Sequence, residues 1–238
     1  FALLSQLLAL VRDRLLASSF GATHTLDVYY AAFRVPDLLF ATVASLLSLY
    51  ALLPVLSRLA QSDEGYMISF LRQTLLYFFA GMGAISLAAF ILAPWLLQLL
   101  VPGIVSPELV LLTRILLLQP IFLGASNILA NLTQIRHRFF LYSISPLLYN
   151  LGIIEGILFL YPRFGIEGLA WGVVLGALLH MLMQLPFFAS EKPQTRMPTR
   201  EFVQELRQVL MLSVPRTLSL GAGQISLIIL TAFASFMA

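Results

Sequence analysis

The chain has 238 residues, with 14 basic and 11 acidic side chains and an apolar fraction of 60%. Globular domains carry roughly a quarter charged residues; 11% charge and a mean hydropathy of +0.93 exclude an ordinary soluble domain, a disordered tail and a nucleic-acid binder. Cysteine is absent, which excludes disulfides, thiolate nucleophiles and Cys-ligated metals. The three histidines, His24, His137 and His180, lack metal-ligand spacing, so neither metal nor cofactor is expected.

Uncharged runs occupy 38–57, 73–107, 115–135, 139–154, 168–190 and 217–238. A bilayer-crossing helix needs about 20 mostly apolar residues, and in hydrocarbon only helices or closed barrels satisfy the backbone. The runs are Leu-rich and lack strand alternation, so the reading is all-α: a polytopic transmembrane helix bundle of about seven spans. They fall at roughly 1–20, 27–57, 70–96, 109–133, 139–161, 166–188 and 208–238. The first is not a signal peptide, because its charges follow the apolar run instead of preceding it. The polar, Pro-containing stretch over 190–205 reads as a cytoplasmic linker between a six-span unit (1–189) and a seventh span, 206–238, that starts something new.

Loops after spans two, four and six gather Arg58, Arg72, Arg136, Arg138, Lys192, Arg196, Arg200 and Arg207, against Arg163 alone on the other side. By the positive-inside bias the even loops are cytoplasmic and the N-terminus is inside.

Charges within the spans are costly and ordinarily face a cavity or a partner. Arg12 and Arg14 are about 200° apart on a helix, so at most one of them faces a cavity. Leu8, Leu15 and Leu16 flank Arg12 and favour it. In span two, Asp27 and Arg34 share a face, Arg34 and Asp37 form an i,i+3 pair, and Pro36 between them would kink the helix or free a carbonyl. Two readings stay open: a self-neutralising local pair, or a charged cavity wall facing Arg12. Arg114 and Glu108 read as reaching the headgroups. Gly168, Gly172 and Gly176, at i+4 steps, allow close helix approach. Asn127, Asn131, Asn150 and His180 read as interhelical hydrogen-bond partners. Catalytic constellations are lacking, so no enzyme is expected.

Four stretches carry a family resemblance: VRDRLLASSFGATHTLDVYYAAFRVPDLLF (Val11–Phe40), Arg114–Ile154, Tyr161–Pro186 and Val214–Met237. Together they resemble the MurJ/MviN family of lipid II flippases, in family order over nearly the whole chain. The resemblance implies a MATE-like, two-lobed flippase fold. This chain would then be the first lobe plus the first helix of the second, with the rest of that lobe in the same or a separate chain. It implies a membrane-lipid setting and a polyprenyl-diphosphate-linked peptidoglycan precursor moved outward across the bacterial inner membrane. Arg12 corresponds to a cavity arginine and Asp27 to an acidic residue heading span two; with Arg34 they form the expected substrate-binding set, and Asp13 and Asp37 are candidate charge partners. In place of the Gly-Ala-Leu-Ser-like stretch of the family stands Ser45-Leu46-Leu47-Ser48. Two other readings are a related flippase or exporter for other polysaccharide lipids or drugs, and a truncated, non-transporting membrane protein.

The loop-charge bias makes a topology prediction. A reporter fused at Arg196 should read cytoplasmic and one fused at Pro102 external; the reverse pair of readings would overturn the orientation.

Overall fold

The computed structural model describes residues 2–191 and 197–235. Its helices are α1 (Ala2–Phe20), α2 (His24–Ala32), α3 (Arg34–Thr42), α4 (Leu49–Ser62), α5 (Glu64–Leu100), α6 (Pro107–Leu116), α7 (Gln119–Ile135), α8 (Phe139–Glu155), α9 (Tyr161–Phe164), α10 (Ile166–Leu182), α11 (Leu185–Ser190) and α12 (Thr199–Ser235). A 3₁₀ turn, Ala44–Leu47, joins α3 to α4, and a π turn, Gly156–Leu160, joins α8 to α9. No strand occurs among the described residues.

Among the described residues, six helical stretches are long and apolar enough to cross a membrane: 44–62, 64–100, 107–135, 139–164, 166–190 and 199–235. The expected first span, α1, falls outside this set because its 19 residues include Arg12, Asp13 and Arg14. The expected second span qualifies only in its latter part, since Asp27, Arg34 and Asp37 charge the former. Large apolar side chains point outward, among them Leu76, Leu87, Ile91 and Trp95 of α5 and Leu218, Ile229 and Phe233 of α12. Surfaces of that kind belong in hydrocarbon. The chain is an all-α, multi-pass membrane protein.

Three of the expected continuous spans are broken at a proline, and the second also breaks at the 3₁₀ turn before an extended Ser48. A proline has no N–H for the carbonyl four residues back, and its ring crowds that carbonyl. Pro36, Pro120 and Pro186 stand four residues after Ala32, Leu116 and Leu182, the last residues of α2, α6 and α10. At the first break Phe33 keeps φ −76° and ψ −16°, so the chain makes a tightened turn and does not unfold.

Two apolar clusters fill the bundle. One joins α1, α2, α6 and α10 around Leu16, Tyr29, Leu112 and Leu169. The other joins α4, α5, α7 and α12 around Leu56, Phe70, Ile128 and Phe202. Leu39 and Phe122 pack against both. At Ser45–Ser48 packing is close without glycine: Ala44 is buried, and Ser45 Oγ lies 2.9 Å from Thr217 Oγ of α12.

The tightest seam runs between α8 and α10. A Cβ on Gly156 would stand 2.7 Å from the Gly172 Cα, and one on Gly172 would stand 3.0 Å from the Gly152 carbonyl oxygen. Gly176 rests on the Tyr149 carbonyl and Gly168 on the carbonyl of Leu160. The expected glycine row of α10 therefore meets a second pair, Gly152 on α8 and Gly156 at the start of the π turn that follows it.

Charged residues clamp one end of the bundle. Arg136 pairs with Glu64 and, at 3.2 Å, with Glu191, and Arg58 pairs with Glu205. Burial lowers the Arg136 pKa, but the hydrogen bond and charge of Glu64 and the charge of Glu191 outweigh it, so the net shift is upward. Gln73 donates to the Met197 carbonyl at 3.1 Å and Ser69 accepts from the Met197 N–H at 2.9 Å. The 37 residues of α5 make a rod of about 55 Å, longer than the roughly 30 Å hydrocarbon layer, and its excess reaches this clamp. At the opposite end the Gly103 N–H donates to Ser235 Oγ at 3.2 Å.

Of the expected linker, 190–205, residues 192–196 lie outside the described residues. Helix α12 starts at Thr199, before the expected 206, with the Phe202 N–H donating to the Pro198 carbonyl at 3.0 Å.

Gly172→Leu should cost about 1–3 kcal/mol or more through overpacking, read as lower membrane yield and a lower melting temperature. Gly223→Leu, where a side chain would meet nothing within 4 Å, should change neither.

Candidate functional site

Helices α1, α2, α3 and α8 enclose a cleft of about 260 Å³ lined by Arg12, Asp13, Leu16, Tyr29, Tyr30, Phe33, Arg34, Asp37, Tyr149 and Ile153. A second pocket of about 540 Å³ adjoins it, lined by Asp27, Tyr30, Ala31, Arg34, Ile104 and, from α12, Leu227, Leu230, Thr231, Ala234 and Ser235. Tyr30 and Arg34 belong to both. All five residues singled out in the sequence line one pocket or the other: Arg12, Asp13 and Asp37 the smaller, Asp27 the larger, and Arg34 the wall between them.

Helical phase explains the selection on α1. Arg12 is half-buried and enters the cleft, while Arg14, about 200° around, is exposed. Arg12 Nε donates to Asp13 Oδ1 at 2.9 Å and Nη2 lies 2.8 Å from the same oxygen. Arg12 Nη1 donates to Asn150 Oδ1 on α8 at 3.0 Å. The partner of Arg12 is thus the expected Asp13, while Asp27 lies in the other pocket. Asp13 keeps 55% of its side chain exposed, and an exposed ion pair is worth only about 0–1 kcal/mol. It is a counterion that a stronger anion can displace.

Arg34 and Asp37 share the cleft, yet among the described residues no ion pair joins them. Both line the cleft beside Arg12. Arg34 Nε is buried without a hydrogen-bond partner among the described residues. A buried donor left unpaired at such a wall is what a polar ligand would satisfy.

The remaining intramembrane arginines have structural surroundings. Arg114 Nε donates to the Phe90 carbonyl at 3.1 Å, which Pro94 leaves without its i+4 donor. Its guanidinium also lies 4.8 Å from the Phe90 ring centroid. Arg216 stands 4.1 Å over Tyr50. His180 is an interhelical partner as expected: Ser126 Oγ lies 2.6 Å from His180 Nδ1, and Gln184 Nε2 donates to Ser126 Oγ at 2.7 Å.

The aromatic lining, Tyr29, Tyr30, Phe33 and Tyr149, was not anticipated. Its sequence signal is an aromatic at each of three positions between Asp27 and Arg34, where apolar aliphatics would serve a plain lipid-facing helix.

Comparison with known proteins follows the same lines. A family model described as "Lipid II flippase MurJ" matches residues 16–238. The lipid II flippase MurJ of Burkholderia cenocepacia is 28% identical over 99% of this chain and 48% of its own length. A probable lipid II flippase MurJ of Buchnera aphidicola is 28% identical, with 99% and 48% covered. One from Thermotoga maritima is 29% identical over 77% of this chain and 38% of its own length. The chain spans about half the length of the curated relatives it matches.

Proposed function

We propose, from the premise that this chain belongs to the lipid II flippase MurJ family, that it helps move a polyprenyl-diphosphate-linked peptidoglycan precursor outward across the bacterial inner membrane. It acts as a transporter and not as an enzyme. Residues 1–189 are a six-span lobe, 190–205 a cytoplasmic linker, and 206–238 the first span of a second lobe. The N-terminus is cytoplasmic. That orientation draws support from the clamp, which gathers Arg58, Arg72 and Arg136 at one end of the bundle, as the loop-charge bias requires.

One observation carries the proposal: a half-buried arginine projects from an apolar helix into a cleft, balanced by an exposed carboxylate. A diphosphate cannot cross hydrocarbon bare, because an unpaired ion there costs several kcal/mol. A guanidinium offers a planar fork that matches phosphate oxygens two at a time. In the empty cleft Asp13 occupies the Nε–Nη2 edge of that fork. An arriving diphosphate competes for this edge and releases Asp13 toward water. Arg34 then offers a second cation on the wall to the larger pocket, which Asp27 and the apolar face of α12 also line. Substrate binding is assigned to Arg12, Arg34 and Asp27, with Asp13 and Asp37 as charge partners.

The test is growth support in a flippase-depleted bacterium by the gene carrying this sequence. Arg12→Ala should abolish support at normal membrane levels, a loss of at least about tenfold for one charged hydrogen-bond set. Arg12→Lys should retain part, since an ammonium is a point charge without the fork. Full support by Arg12→Ala at normal levels would overturn the assignment.

A further inference from the structure

We propose that Asn150 is a positioning residue. It holds the Arg12 guanidinium aimed into the cleft while Asp13 comes and goes, so that the fork receives an anionic phosphate in a fixed orientation. This rests on the reading of Arg12 as a diphosphate ligand and adds a residue to it.

The chemistry of the contact fixes its direction. A guanidinium only donates hydrogen bonds, so the Asn150 atom facing Arg12 Nη1 at 3.0 Å must be the carboxamide oxygen. The amide nitrogen then faces acceptors only. It donates to the Pro146 carbonyl at 3.0 Å, to Ser5 Oγ at 3.4 Å and toward the Ser5 carbonyl at 3.5 Å. Both ends of the carboxamide agree: a flipped amide would set its nitrogen against Arg12 Nη1 and its oxygen against the Pro146 carbonyl. Asn150 is 6% exposed, so the orientation is held by burial as well as by bonds.

The two partners of Arg12 differ in kind. Asp13 is more than half exposed and binds through one oxygen. It is adjacent in sequence, and it bears the same sign as the expected ligand. Asn150 is neutral, buried and tied to the backbone of two helices. An incoming phosphate therefore displaces the carboxylate and leaves the amide. The two hydrogen bonds engage Nε and Nη1, Nη2 lies 2.8 Å from the same Asp13 oxygen, and displacement of Asp13 returns the Nε–Nη2 edge to the ligand. A neutral acceptor suits this role, because a carboxylate at position 150 would hold Arg12 equally well but repel the phosphate.

The position of Asn150 is itself set by the glycine seam. Tyr149, its neighbour, presents its carbonyl to Gly176, which fixes the rotation of α8 about its axis at this level. The side chain is thereby directed at α1.

The experiment is binding of farnesyl diphosphate, with farnesol as the uncharged control, to the full chain in lipid nanodiscs. Asn150→Leu should weaken farnesyl diphosphate binding about tenfold, the scale of a hydrogen bond to a charged group, and leave farnesol binding unchanged. In an Arg12→Ala background Asn150→Leu should have no further effect, because the two act as one unit. Asn150→Asp should also weaken the diphosphate, by repulsion, although it keeps the acceptor. Equal weakening in both backgrounds would mean a general structural role and overturn the proposal, as would unchanged binding in Asn150→Leu. Should Asn150→Leu fail to fold, Asn150→Ser, too short to reach Arg12, gives the same comparison. Diphosphate binding that Arg12→Ala does not alter would overturn the reading of Arg12 itself; loss in Arg12→Ala with none in either Asn150 variant would overturn only the role of Asn150.

Discussion

Helices α8 and α10 touch backbone to backbone, and the rest of the cleft is built outward from that contact. Gly152 and Gly156 on one helix meet Gly172 and Gly176 on the other. In a membrane the helices gain no hydrophobic drive toward each other, so van der Waals fit decides their spacing. The seam fixes both the distance and the rotation of α8. Rotation in turn decides that Tyr149, Asn150 and Ile153 face α1 and α2. A looser seam would turn these side chains away from Arg12 without changing one residue of the cleft.

The cleft solves an electrostatic problem by dividing it. Arg12 has a movable carboxylate on one edge and a fixed amide on another. Arg34 has neither, and is left with a buried Nε free of hydrogen bonds among the described residues. The two arginines therefore differ in readiness. One is neutralised until displaced, and the other is open on a wall shared by two pockets. By contrast Arg114 and Arg216 are engaged with a carbonyl and with ring faces, so intramembrane charge alone does not mark a ligand site; the surrounding partners do.

Much of this was legible in the sequence, for stateable reasons. Apolar runs and charge placement follow from hydrocarbon thickness and desolvation, which act residue by residue, although six and not seven stretches qualify as spans among the described residues. The preference for Arg12 over Arg14 needed only helical phase and the leucines that flank Arg12. The glycines of α10 showed themselves by their i+4 spacing, whereas Gly152 and Gly156 are just two and gave no row to notice. The breaks at Ala32, Leu116 and Leu182 were readable in principle from Pro36, Pro120 and Pro186. Yet Pro54, Pro94, Pro146 and Pro215 sit inside unbroken helices, so proline alone did not say which carbonyl would be rescued by the bend. The sequence offers Asp13 and Asp37 as charge partners of Arg12. The structure supplies the adjacent acid and an amide 138 positions away, a pairing that only the fold creates.

The tightened turn at Phe33 has a mechanical consequence. An unbroken helix resists bending because each degree strains a ladder of hydrogen bonds. Where Pro36 removes a rung, that stiffness is locally absent, and α2 and α3 meet at a compliant joint. Tyr30 stands on one side of the joint and Arg34 on the other, and both belong to the partition between the two pockets. A common partition couples the volumes on its two sides, as a piston couples two chambers: whatever space it yields to one is taken from the other. This joint of the second span is thus also the point at which the two chambers exchange room.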